Sequence, residues 1–367
     1  MGVGLETARA ILERAVGDRI CPAAVGEVGE SDGCLWREAF GRLTFDQTAA
    51  AAGDDTIFDL ASLTKPIATT SVILRLVARG ALSFDEPLST LFEDWRGKDR
   101  EPATVQDLLE HAAGLAARLV DPPPLTRREF EHDISTLKLE YPPRTKSIYS
   151  DLGFILLGFI ADNRGGGSLA QQFDDIRIRV ALSQGEAADP AKAGASGALQ
   201  FGASAAVRAR VAPTMPEAAD PRRGRRLVGE VHDDYAAALG GVAGHAGLFG
   251  DVTGVSAFAR AVLRAARGDE TIGEPLSPAL VERMTTRTTV PGSSRALGWD
   301  TMLPTSSCGT ELSPAAFGHV GFTGTSVWID PILDRYFVLL TNRACGGGTL
   351  DQMREVRRAF HNALAKL

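Results

Sequence analysis

Apolar residues recur at Leu5, Ala8, Ile11, Leu12 and Val16, the three-and-four spacing that turns one face of a helix over residues 5–16 toward a core. The period then shortens. Two alternating runs, 23–29 and 34–40, flank Asp32-Gly33, a dipeptide suited to a tight hairpin. Residues 62–78 read as a buried helix, and another fits 104–113, with Thr104 as its N-cap and Gly114 as its stop. Past the break at Pro122-Pro123-Pro124, further helices are predicted over 151–162, 253–266, 278–285 and 350–365. Residues 181–230, rich in Ala, Gly, Ser and Arg, have weak periodicity and read as a long irregular excursion with one strand or helix at most. Near the end, 296–302, 316–321, 326–330 and 336–341 look like strands joined by tight turns.

Strands therefore lie at both ends of the chain, with helices between them. Short hairpin links favour an antiparallel sheet over a doubly wound parallel one. The predicted class is α/β of the α+β type: an antiparallel sheet built from N- and C-terminal segments, flanked by helices, with a mainly helical lobe inserted. Residues 1–80 with 286–367 are expected to form the sheet lobe and 81–285 the helical lobe. The active site is expected at their junction.

Composition narrows the partners. The 367 residues are 44% hydrophobic and carry a net charge of −7, which suits a globular chain that buries a real core. Thirty-nine basic residues against 46 acidic ones leave no concentrated basic face, so nucleic acid is not an expected partner. The densest basic run, Arg222, Arg223, Arg225 and Arg226, reads as a solvated loop. Cys21, Cys34, Cys308 and Cys345 stand far apart without a Cys-x-x-Cys pair, which argues against a zinc ribbon or a disulfide framework. No apolar run approaches the roughly 18 residues of a bilayer span, so none is expected. The first residues lack a basic stretch followed by an apolar one. The expected location is the cytoplasm, or the periplasm if an export signal has been removed.

The sharpest local feature is Ser62-Leu63-Thr64-Lys65-Pro66. A serine and a lysine three apart at a helix start share one face, and Pro66 suits a first helical turn. A hydroxyl becomes a useful nucleophile when a neighbouring base takes its proton. The signal is weak alone, because Ser135-Thr136-Leu137-Lys138 repeats the spacing in a polar stretch. Two further clusters strengthen it: Tyr149-Ser150-Asp151 before an apolar helix, and Gly318-His319-Val320-Gly321-Phe322-Thr323-Gly324 in a late strand.

In this order the three motifs resemble the serine β-lactamase and penicillin-binding protein superfamily, whose pattern is Ser-x-x-Lys, Tyr-x-Asn and Lys/His-x-Gly. The spacing is similar to its class C β-lactamase, DD-peptidase and esterase branch. Val105–Leu115 and Leu239–Phe249, followed by Leu297-Gly298-Trp299, also look like that branch. The resemblance implies Ser62 as the acylated nucleophile, Lys65 as its proton acceptor or relay, and Tyr149 as a general base that later protonates the leaving group. It implies an oxyanion hole from the backbone N–H groups of Ser62 and Phe322. Asp151, His319, Gly321 and Thr323 would contact substrate. Tyr149 could act near neutral pH only if a cation such as Lys65 lowered its phenol from about 10. Glycine at 321 and 324 would let a substrate approach the strand edge closely.

Two departures colour the reading. Asp151 stands where the pattern has Asn; an ionised carboxylate only accepts hydrogen bonds, whereas an amide also donates. It would suit a substrate presenting an N–H or ammonium there, or one lacking the acylamino group of penicillins, such as a simple ester, and could also cap the helix it precedes. His319 replaces the commoner Lys, and a mostly neutral imidazole attracts a carboxylate weakly. His232, Asp233, Asp234 and His245 lack metal-ligand spacing and read as loop-ordering residues, and His111 as a stabiliser of its helix end. The expected protein is a serine hydrolase that acts on a small-molecule ester, amide or β-lactam through an acyl-enzyme, esterase-like with weak β-lactamase activity, and needs neither metal nor organic cofactor. The alternatives are a β-lactamase or D-alanyl-D-alanine carboxypeptidase proper, or a sensor that acylates and stops.

Overall fold

The computed structural model describes residues 2–119, 123–184 and 197–367. Pro122 and part of the 181–230 excursion lie outside these. Helix α1 (Val3–Gly17) leads into a hairpin of β1 (Ala23–Glu30) and β2 (Gly33–Gly41). The short β3 (Phe58–Asp59) precedes one tight helical turn (Ala61–Leu63), a wider-wound segment (Lys65–Thr70) and α2 (Ser71–Ala78). Helices α3 (Leu88–Leu91), α4 (Val105–Leu109), α5 (Arg127–Thr136), α6 (Asp151–Arg164) and α7 (Leu169–Ser183) follow. Then come β4 (Leu199–Phe201), α8 (Asp234–Ala238), β5 (Leu248–Gly250), α9 (Val252–Ala266) and α10 (Pro278–Thr285). Strands β6 (Asp300–Thr301), β7 (Phe317–Val320), β8 (Ser326–Asp330) and β9 (Arg335–Thr341) lead to α11 (Leu350–Leu364).

Six strands form one antiparallel sheet in the order β2-β1-β9-β8-β7-β6. The two ends of the chain meet at β1 and β9, where Val25 lies opposite Leu340. Successive side chains of a strand point to opposite faces, so each strand divides its residues between two cores. Ala24, Val28, Trp328, Phe337 and Leu339 pack with Leu12 of α1 and Phe360 of α11. Val25, Val327, Ile329, Val338 and Leu340 belong to the larger core, with Val255, Phe258 and Val262 of α9. Gly26 admits the outer helices: a Cβ there would lie 2.9 Å from the Phe360 ring and 3.0 Å from Leu12. A second sheet, β3-β5-β4, sits beside the turn that carries Ser62.

The predicted architecture holds, with local corrections. Helix α9, assigned by sequence to the helical lobe, packs on β1, β8 and β9. Of the strand expected over 296–302, only Asp300–Thr301 forms. The helix expected over 62–78 is wound in three ways along its length. Helices α5 and α7 were not anticipated, and the described part of the excursion contains the end of α7, β4 and a turn of 3₁₀ helix at Ala205–Arg210.

Candidate active site

The site begins where β3 ends. The buried Asp59 carboxylate accepts the backbone N–H of Ala61 at 2.8 Å and of His232 at 2.6 Å. Ala61 is held at φ +48°, a conformation uncommon for a residue with a Cβ. This tight turn leaves Ser62 half-buried at a cavity of about 630 Å³ lined also by Arg118, Tyr149, Asp151, His319 and Phe322.

Lys65, one turn further on, is fully buried. Its three N–H donors are all used: to Ser62 Oγ at 2.9 Å, Asp151 Oδ1 at 2.8 Å and the His245 carbonyl at 3.1 Å. The Tyr149 hydroxyl donates to Ser62 Oγ at 2.8 Å. Two groups, one from the next helical turn and one from a segment distant along the chain, thus converge on the Ser62 oxygen. The phenol ring is held by the His111 ring at 4.7 Å, the His319 ring at 5.9 Å and the Arg295 guanidinium at 5.2 Å. His111 Nδ1 accepts the Ser150 N–H at 3.1 Å, so this histidine orders the Tyr149 segment as well as its own helix end.

Ser150, not Asp151, caps α6. Asp151 is the first residue of the helix, and its carboxylate faces Lys65 on one side and Arg118, at 3.5 Å, on the other. It therefore acts on the nucleophile's partner as well as lining the cavity. Burial pulls the Lys65 ammonium pKa down, but the charges of Asp151 and Tyr149 outweigh that and hold it above the usual 10.5. Tyr149 corrects the sequence expectation of a lowered phenol. Burial raises its pKa, Asp151 adds to this, and the opposing Lys65 charge is insufficient to bring it below 10. The resting site therefore holds an ammonium and a neutral phenol.

The opposite wall is the edge formed by β7 and the following turn. His319 is buried, and its Nδ1–H donates to the Val320 carbonyl at 2.9 Å. Burial, together with Arg295 and Lys65, keeps its pKa well below 6.5. Gly321 is required: a Cβ would lie 2.6 Å from the Leu60 carbonyl oxygen and collide with Thr325 Oγ1. The backbone N–H groups of Ser62 and Phe322 have no hydrogen-bond acceptor among the described residues. Such free donors beside a nucleophile can receive a developing oxyanion. Thr323, expected among the substrate contacts, is instead buried, and its hydroxyl donates to the Asp59 carbonyl at 2.7 Å.

Sequence reasoning missed Arg118, which bridges Asp151, Asp233 and Asp234. Asp233 also accepts from His245 Nε2 at 2.7 Å. Burial raises the Asp233 pKa, but His245 and Arg118 more than offset it and hold the carboxyl far below its usual range. These residues order the loop whose carbonyl grips Lys65. The Arg118 partners come from a distant segment, so no local motif announced them. The repeated Ser-x-x-Lys at 135–138 is not part of the site: Ser135 is buried at the end of α5 and Lys138 is exposed.

Among the described residues, no cluster of three His, Cys, Asp or Glu side chains could hold a metal. No described helix is long and apolar enough to cross a membrane.

The family model described as Beta-lactamase matches residues 28–361. An Escherichia coli (strain K12) protein provisionally named D-alanyl-D-alanine carboxypeptidase is 29% identical over 78% of this chain and 69% of its own length. The N-acetylmuramyl-L-alanine amidase of Bacillus subtilis (strain 168) is 30% identical, covering 78% of this chain and 68% of the relative. Among solved structures, EstCE1, a hydrolase with promiscuous acyltransferase activity, superposes with a TM-score of 0.73 at 20% identity over 98% of both chains.

Proposed function

Because the chain belongs to the beta-lactamase family of serine hydrolases, we propose that it hydrolyses small-molecule esters through an acyl-enzyme on Ser62. The observation that carries this reading is the convergence of Tyr149 Oη and Lys65 Nζ on Ser62 Oγ, at 2.8 and 2.9 Å. Asp151 supplies the base that an ammonium and a neutral phenol lack. Transfer of one proton from Lys65 Nζ to Asp151 Oδ1, across 2.8 Å, gives the nitrogen a lone pair. That lone pair takes the Ser62 proton as Oγ attacks the carbonyl carbon. The new oxyanion is met by the N–H groups of Ser62 and Phe322. As the carbon–leaving-group bond breaks, Tyr149 gives its phenolic proton to the departing oxygen and recovers one from Lys65, which then regains its proton from Asp151. Water repeats the cycle on the acyl-enzyme, with Ser62 as the leaving group.

Two features favour esters over antibiotics. Asp151 offers an acceptor where an amide would also donate, and the neutral His319 offers no cation to a substrate carboxylate. Incubation with p-nitrophenyl butyrate and nitrocefin, followed by colour and intact mass, tests the reading. Ester turnover without cephalosporin turnover is expected. Cephalosporin turnover alone would favour a β-lactamase, and a stoichiometric mass gain without turnover would favour a sensor.

One observation favours a second reading, a D-alanyl-D-alanine carboxypeptidase like the named relatives. Arg295 lines the cavity, and its nearest carboxylate, Asp300, is 4.0 Å away, which leaves a cation able to meet a substrate carboxylate. Release of D-alanine from a D-alanyl-D-alanine peptide would transfer the proposal to this activity.

A further inference from the structure

Two arginines flank the strand edge that faces Ser62, Arg357 also lining the cavity, and the mechanism above uses neither. Arg357, on α11, is buried, yet no ion pair to it is found among the described residues. Its Nη2 donates to the Gly321 carbonyl at 2.7 Å and to the Thr325 carbonyl at 3.0 Å, and its Nε has no partner among the described residues. Arg343 donates to the next carbonyl, that of Phe322, at 2.8 Å, and lies over the Phe322 ring at 4.7 Å. Burying a guanidinium without a counter-charge is costly, so this pairing needs an explanation.

The geometry of the peptide group provides one. The Gly321 carbonyl and the Phe322 N–H belong to the same trans peptide and point in opposite directions. A carbonyl anchored on Arg357 of α11 therefore sends the Phe322 N–H the opposite way, and that N–H has no acceptor among the described residues. The Gly324 N–H also donates to this carbonyl, at 3.1 Å, so the turn itself helps to set the orientation. What Arg357 alone adds is charge. A cationic donor on the C=O end of an amide polarises the amide and strengthens its N–H as a donor, and low local dielectric magnifies the effect.

We infer that Arg357 is a positioning residue of the oxyanion hole, acting through the Gly321–Phe322 peptide to make the Phe322 N–H a stronger, fixed donor to the tetrahedral intermediate. The inference rests on the acyl-enzyme reading of Ser62. It predicts an effect confined to the transition state, because the ground-state carbonyl gains little from a stronger donor while the oxyanion gains much.

The test uses the whole chain. Arg357→Met and Arg357→Lys are compared with the unaltered protein in p-nitrophenyl butyrate kinetics. They are also compared by ³¹P NMR after labelling with a fluorophosphonate, which forms an Oγ–P bond as fluoride leaves and places a phosphoryl oxygen where the oxyanion would sit. Arg357→Met is expected to lower kcat about tenfold with KM within about twofold. Its ³¹P resonance should move toward that of the denatured adduct, with Arg357→Lys between the two. A folded Arg357→Met protein with unchanged kcat, or with an unchanged ³¹P resonance, overturns the inference. If Arg357→Met shows no cooperative melting, Arg357→Lys decides: a smaller loss of kcat at unchanged KM supports the inference, and unchanged kcat overturns it. Failure of the unaltered protein to label at Ser62 would instead refute the acyl-enzyme reading beneath it.

Discussion

Replacing Asp151 with Asn restores the Tyr-x-Asn pattern of the superfamily while removing the charge that Lys65 faces. At 2.8 Å and an effective dielectric constant of about 20, the lost attraction is about 6 kcal/mol. Asn keeps a carbonyl acceptor for Nζ, so the geometry survives and the electrostatics change. Burial, now unopposed by that charge, pulls the Lys65 pKa down from its raised value. The assay is kcat/KM for p-nitrophenyl butyrate against pH, paired with NMR titration of the lysine Cε resonance. In the unaltered protein Lys65 and Tyr149 titrate above their usual values, while His111 and His319 titrate well below 6.5. Its profile should therefore be flat between about pH 7 and 9.

Asp151→Asn should gain a limb that rises tenfold per pH unit below the lowered Lys65 pKa, so that its activity climbs toward that of the unaltered protein as the pH is raised. The stability consequence has a definite sign. A raised Lys65 pKa contributes stability that is present below 10.5 and lost only as pH rises through the higher folded value. A lowered one makes protonation favour unfolding. The stability gap between the two proteins should therefore widen as pH falls from alkaline toward neutral, reaching about 3–5 kcal/mol and read as a lower Tm of the variant. Superimposable profiles and an unmoved lysine titration would refute the role given to Asp151.

Other substitutions probe the remaining groups. Tyr149→Phe removes the donor 2.8 Å from Ser62 Oγ and should lower kcat by about 10²–10³ with little change in KM, read in the same ester assay. Gly321→Ala places a Cβ against the Leu60 carbonyl and should lower stability by about 2–4 kcal/mol, seen as a reduced Tm, and abolish turnover. Ser135→Ala removes a buried hydroxyl that has no partner among the described residues, so kcat/KM should be unchanged.

What was legible in the sequence follows from how local each signal is. The sheet strands 23–30 and 335–341 show in their apolar content, and Ser62, Lys65 and Tyr149 in short motifs with a fixed order. Helix α5 buries only a thin stripe, Phe130 and Ile134, on a polar surface, whereas α7 carries a regular one, Leu169, Phe173, Ile176 and Val180, that was overlooked. Their capping boxes, Thr126 with Glu129 and Ser168 with Gln171, were a second signal for both. The roles of Asp151 and Arg118 depend on charges that meet only after folding. The ionisation of Tyr149 was misjudged for the same reason: the sequence showed a nearby lysine but neither the depth of burial nor the carboxylate that partly cancels its effect. Thr323 was assigned to substrate from its place in a motif, and the turn between β7 and β8 directs its hydroxyl to the Asp59 carbonyl instead.

If Ser62 is the nucleophile, it is acylated once in every turnover. Mass spectrometry of the protein quenched during p-nitrophenyl butyrate turnover tests it directly. A butyryl increment on the peptide containing Ser62, absent together with turnover in Ser62→Ala, is the predicted result. Turnover that persists in Ser62→Ala, or an increment confined to another residue, would contradict the account.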